Sequence, residues 1–199
     1  MKPAKLLRQR LLLECATLGR NVVGVCITIF AALRARSIAL AGFSLDSVIE
    51  IGASSVVIWQ LTGAGKDQPQ RALRLIGRAF FALAIYILVQ SSRTLYLQLR
   101  PAPSLLGIAW LVLTCVAMLA LAFGKHRVGR QLNNPVLLTE GRVTLVDAYL
   151  AGSVLMALVL NAALGWWWAD PLAGFVLMFY GCKEGVQAWT EGASSVQAS

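Results

Sequence analysis

The sequence predicts an all-α fold: a polytopic membrane protein of six transmembrane helices forming one domain over residues 1–199. Three observations carry this. The 199 residues are 58% hydrophobic and 14% charged, with a mean hydropathy of +0.69, far from the balance of a soluble globular domain. Apolar runs of about 20 residues, enough to cross a hydrocarbon core of about 30 Å, can be laid out six times. Lys and Arg collect in alternate connections, as expected when basic loops stay on the cytoplasmic side.

The first helix is expected at 11–33, behind Lys2, Lys5, Arg8 and Arg10. This start imitates a signal peptide, but Glu14, Arg20 and Asn21 interrupt the run and no small-x-small cleavage site precedes Arg34, so it is read as a helix. The second is expected at 38–61, after Arg34 and Arg36. The third, at 73–97, follows a connection carrying Lys66 and Arg71, with Arg74 and Arg78 on its flank. The fourth, at 105–123, follows Arg100 and leads into Lys125, His126, Arg127 and Arg130, where His126 is expected to be a solvated loop residue. The fifth is expected at 136–164. The sixth, at 168–188, follows Trp166, Trp167 and Trp168, indoles suited to a membrane interface on the outer face.

Six spans with this charge bias put both termini in the cytoplasm, with the cytoplasmic (inner) membrane of a bacterium as the expected location. The connections are too short to fold alone and about ten residues follow the last span, so no soluble domain is expected. Topology and anionic lipid account for the formal charge of +9, and no nucleic-acid partner is expected. Cys15, Cys26, Cys115 and Cys182 lie scattered without a C-x-x-C pair and read as apolar packing residues.

Against this background Asp46 and Glu50 stand out, two carboxylates inside the apolar second span. A carboxylate at mid-bilayer costs about 2.5 to 3.5 kcal/mol on insertion scales, so two of them call for a compensating cation or proton. Their spacing of four places both on one helix face, about 5 to 6 Å apart at Cβ, where they can grip one divalent ion. A polar helix contact or a salt bridge to a neighbouring helix is the alternative.

In the fifth span Asp147 is the central acid. Glu140 lies seven residues earlier, two turns down the same face and about 10 Å nearer the cytoplasm, a place that suits an entry path. The second span runs inward and the fifth outward, so Glu50 and Asp147 fall at similar depth near mid-bilayer. Small residues flank the acids (Gly42, Ser44, Ser47, Gly52 and Ala53; Ala148, Ala151, Gly152 and Ser153) and allow close helix approach. Arg142 and Arg20 are candidate counter-charges for Glu140 and Glu14.

These residues resemble the transmembrane module of the cation diffusion facilitator family, whose members exchange divalent metal ions for protons. The stretch from Ser37 to Ser54 looks like the family's second helix with its Asp-x-x-x-Asp pair, here Asp46 and Glu50. The family's fifth-helix His-x-x-x-Asp, with an acid three residues earlier, matches Glu140, Val143 and Asp147. Its Ala-Asp-Pro opening of the sixth helix matches Ala169, Asp170 and Pro171. The resemblance implies a metal site of Asp46, Glu50 and Asp147, with Glu140 associated. It departs in two ways: Val143 stands where the imidazole is usual, and no cytoplasmic metal-sensing domain is expected, so a homodimer would form through membrane helices. The Asp-x-x-x-Glu variant in the second helix, together with the basic turn Lys125, His126, Arg127, Val128 and Gly129, looks more like a compact branch of the superfamily that consists of the membrane module alone.

The expectation is therefore a divalent cation transporter working by alternating access, with ion and protons competing for the carboxylates. Its metal is substrate, and no permanently bound cofactor is expected. The resemblance puts Zn²⁺ first, whereas an oxygen-only site favours harder ions such as Mn²⁺. The rival is a membrane-embedded metal-binding or accessory protein that does not transport. An enzyme is not expected, since the chain carries no Ser/His/Asp or Cys/His set, phosphate loop or paired zinc histidines.

Overall fold

A computed structural model describes the backbone over residues 3–61, 69–132 and 135–194, and side chains over 18–52, 74–128, 130–131 and 141–190. Six helices account for nearly all of it: α1 (Pro3–Ala35), α2 (Ile38–Leu61), α3 (Pro69–Tyr96), α4 (Leu105–Leu132), α5 (Pro135–Leu164) and α6 (Ala169–Ser194). By length and composition, four stretches within these helices can cross a membrane among the described residues: Leu18–Ala35, Arg74–Tyr96, Leu105–Val128 and Gly141–Leu164.

The α2 boundaries coincide with the sequence expectation; the others run longer. α1 starts at Pro3 rather than 11, and α4 continues to Leu132 rather than stopping at 123. Helical hydrogen bonding does not require apolar side chains, so a span continues as helix into its basic flank, where long cationic stems can reach toward the lipid headgroups. This corrects the reading of His126, which lies on α4, half-buried, and not in a loop.

The helix ends that are described close with recognisable chemistry. Arg36 (φ 54°) takes the left-handed conformation that ends α1, with the Ser37 N–H on the Ala32 carbonyl at 3.2 Å. Gln98 (φ 50°) does the same after α3, with the Leu99 N–H on Thr94 O at 3.0 Å. After α5 the left-handed residue is Gly165 (φ 68°), where lack of a Cβ removes the strain. Just beyond it the Trp166 and Trp168 rings stack at 5.1 Å.

The helices close into a ring in the order α1, α2, α3, α6, α5, α4, with α2 also reaching across to α6 and, lightly, to α5. The α3–α6 and α4–α5 pairs pack most extensively. Glycine explains the first: a Cβ on Gly77 would lie 3.1 Å from the Gly185 carbonyl, and one on Gly185 3.3 Å from the Gly77 carbonyl, so the two backbones meet with no side chain between them. The core runs through Leu40, Phe43, Ile87, Leu111, Val154, Leu158 and Leu177. Buried hydroxyls turn back on their own helices, as in Thr28 to the Gly24 carbonyl at 2.8 Å and Ser44 to Leu40 O at 2.6 Å. The outward faces of α3 and α4 carry Ile85, Val89, Leu113, Val116 and Phe123 exposed, as a lipid-facing surface requires.

Candidate metal site

α2 takes its position from a polar anchor at its start. Ser37 is its N-cap, its Oγ accepting the Leu40 N–H at 3.1 Å. Asp170, fully buried in the first turn of α6, accepts the Ser37 hydroxyl on Oδ1, and its Oδ2 accepts the Ile38 N–H at 2.9 Å and the Ala39 N–H at 3.4 Å. One carboxylate thus satisfies donors that apolar surroundings would leave orphaned, and its charge meets the positive end of the α2 dipole.

From this anchor α2 and α6 run side by side, and the rise of 1.5 Å per residue fixes depth. Asp46 lies about 12 Å and Glu50 about 18 Å beyond Ile38, while Glu184 on α6 lies about 21 Å beyond Asp170. Asp46, Glu50, Asp147 and Glu184 are all half-buried. The Glu50 and Asp147 carboxyl groups meet within interaction distance, a contact that two charged carboxylates make only at a cost. Asp46 lies within electrostatic range of Asp147 and Glu184. The structure therefore brings the predicted acids of α2 and α5 together. In this conformation no three Asp, Glu, His or Cys side chains among the described residues converge tightly enough to hold a metal ion.

Glu140 is on α5, but its side chain lies outside the described residues, as does that of Glu14. Val143 is 53% exposed while the adjacent Thr144 is 4% exposed, so the side chain at 143 lies on the outward part of α5, one turn from Asp147.

Four further groups belong to this region and were not read as such from sequence. Arg20, considered as a partner for Glu14, acts electrostatically on Glu50 and Asp147. Asn21, 8% exposed, donates from Nδ2 to Glu50 Oε2 at 3.4 Å. Lys125, expected in a connection, is buried on α4 and its charge reaches Asp147. Glu184 brings a fourth carboxylate from α6. Its signal is the stripe Ala173, Leu177, Gly181 and Gly185, whose spacing of four marks the buried face of α6 with Glu184 on its edge.

Comparison with known proteins gives the chain relatives and a family. The chain is 33% identical over 143 residues to the cation-efflux pump FieF of Shewanella oneidensis, covering 68% of this chain and 44% of that protein. It is 24% identical over 177 residues to transmembrane protein 163 of Xenopus laevis, covering 81% of this chain and 63% of that one. The chain thus spans less than two thirds of either relative. Residues 75–195, which include Asp147, Asp170 and Glu184, match the cation efflux transmembrane domain. That match extends over more than half of the sequence and joins the helices that carry the α6 anchor and the α5 acid: the chain belongs to the cation efflux transmembrane domain family.

Proposed function

We propose that this chain is a divalent metal cation transporter that exports Zn²⁺ or a similar ion in exchange for protons. The observation that carries the reading is the meeting of Glu50 from α2 with Asp147 from α5, with Asp46 one turn away in the same half-buried region. Two carboxyl groups that meet can share either a proton or a divalent cation, so loading of metal displaces a proton. Asp46, Glu50 and Asp147 are the proposed ligands, with Glu140 on the cytoplasmic approach. The ion is substrate, and no resident cofactor is invoked.

In this reading all six helices span a bacterial inner membrane, both termini are cytoplasmic, and any homodimer forms through membrane-embedded faces. The test is counter-ion exchange in sealed vesicles. Parent protein should move Zn²⁺ and protons in opposite directions. Asp46→Asn and Glu50→Gln, which remove charge but little volume, should abolish the exchange while remaining monodisperse. Transport by Asp46→Asn at the parental rate would sink the assignment.

A protein that binds metal without moving it is the second reading, favoured by Val143 at the imidazole position. Zn²⁺ bound to purified protein without vesicle exchange would establish it.

A further inference from the structure

We propose that the Arg20 guanidinium is a built-in counter-cation that competes with the transported metal for Glu50 and Asp147. The inference rests on the transport site described under Proposed function and concerns what holds that site when metal is absent.

α1 and α2 are antiparallel neighbours joined at the turn of Arg36 and Ser37. Arg20 lies fifteen residues before the end of α1, about 22 Å from it, and Glu50 about 18 Å along α2, so the two stand at nearly the same depth. A polar relay completes the link. Arg20 donates from Nη2 to Asn21 Oδ1, and the Asn21 amide donates to Glu50 Oε2 at 3.4 Å. Asn21 thereby fixes the cation and the acid relative to each other. The guanidinium charge acts on Glu50 and on Asp147, the two carboxyls that meet.

Arg20 is not saturated where it sits. Its Nε is buried and has no hydrogen-bond partner. A guanidinium serving only as structural glue uses its fork of donors fully, because a buried unpaired donor costs about 1 to 3 kcal/mol. A donor left open beside two carboxyls marks a group with a second arrangement available to it. Arginine also stays protonated at every accessible pH, so it cannot yield the site by losing its charge. It yields only by moving, or it stays and repels the incoming ion.

The surroundings are charged from every side: Asp46 and Glu50 on α2, Asp147 on α5, Glu184 on α6 and Lys125 on α4. A cluster in which carboxylates outnumber cations attracts a divalent ion strongly, and passage requires binding weak enough to leave. Arg20 supplies fixed compensation at the depth of the ion. Its role is positioning and electrostatic: it sets affinity without being a ligand.

The test is Zn²⁺ binding to purified protein by calorimetry, in the parent, Glu50→Gln, Arg20→Gln and Arg20→Ala. Arg20→Gln should bind Zn²⁺ at least tenfold more tightly than the parent. In Arg20→Ala, free guanidinium at millimolar concentration should enter the vacated space and weaken Zn²⁺ binding at least threefold, with no effect on the parent. A merely structural role predicts the reverse, namely weaker binding in the variant and recovery with guanidinium, and either result overturns the proposal. A parent that binds no Zn²⁺, or a Glu50→Gln variant that binds like the parent, overturns the transport-site reading and this proposal with it. Binding that depends on Glu50 but is unchanged or weaker in Arg20→Gln overturns the proposal alone. Should the Gln and Ala variants aggregate, [¹⁵N]arginine spectra of the parent decide, with the Arg20 Nε–H signal identified from its absence in Arg20→Lys. That signal must shift when Zn²⁺ is added, and a signal that stays in place refutes the idea.

Discussion

Replacing Asp170 by Asn should destabilise the bundle far more than an isosteric change normally does. Three donors converge on this carboxylate: the Ser37 hydroxyl, the Ile38 N–H at 2.9 Å and the Ala39 N–H at 3.4 Å. Hydrogen bonds to a charged acceptor contribute about 1.5 to 3 kcal/mol each, and charge at a partly buried helix start adds up to about 2 kcal/mol. Asparagine keeps one acceptor oxygen, so the Ile38 bond can survive in neutral form. Its amide must face the Ser37 oxygen, which already accepts from Leu40 at 3.1 Å. Removing a buried charge offsets part of the loss, and the net expectation is about 2 kcal/mol for Asp170→Asn and about 3 to 4 kcal/mol for Asp170→Ala, which orphans every donor. At about 2 to 4 °C per kcal/mol for a chain of this length, Asp170→Asn should lower Tm by about 4 to 8 °C in one detergent at one protein concentration. A cycle with Ser37→Ala should show coupling of about 1 kcal/mol or more, since both changes remove the same bond. A melting point within about a degree of the parent, or strictly additive effects, would show that the anchor does not hold α2.

Gly174→Ala would place a Cβ 2.5 Å from Ser91 Oγ and should cost about 1 to 3 kcal/mol by overpacking. Ser91→Ala, which removes a buried hydroxyl without a hydrogen-bond partner, should be neutral or stabilising alone and should recover much of the Gly174→Ala loss, as chemical or thermal unfolding of the three variants will tell. Single cysteines near Ser199 and in the 63–70 connection, in an otherwise cysteine-free chain, should resist an impermeant thiol reagent outside intact cells; labelling there would contradict the positive-inside topology. Val143→His stands one turn from Asp147 and is not packed in the core, so it should shift preference from Mn²⁺ toward Zn²⁺ in competition at one pH. An unchanged ratio would mean that position 143 does not reach the ion.

Much of the bundle was legible because burial in lipid leaves a strong compositional signal. The α2 boundaries could be read from the sequence since Ser37 follows Arg34 and Arg36 and opens a predominantly apolar run that lasts to Leu61. Asp46, Glu50 and Asp147 stood out because isolated acids in such runs are costly enough to need a reason. The cationic side of the same region was hidden for the converse reason. Arg20 lies near Glu14 in sequence and Lys125 sits in a basic run, so each had a local explanation, and only the packing of α1 and α4 turns them toward Asp147. Asp170 was noticed as part of a motif, yet its task, holding the start of another helix 133 residues away in the chain, is a tertiary fact. Glu184 belonged to no motif, and its electrostatic reach to Asp46 depends on α2 and α6 packing side by side.

The Asp170–Ser37 anchor also makes α2 a lever. It is pinned to α6 at one end and only lightly engaged with α5 along its length. Any tilt of α2 relative to α6 therefore pivots at the pin, and displacement grows with distance from it. Each 5° or so of rotation carries Glu50 about 1.6 Å and Asp46 about 1.0 Å, given their distances along the helix. A modest swing is thus enough to part the Glu50 and Asp147 carboxyls or to draw them together, while the pinned ends of α2 and α6 stay together.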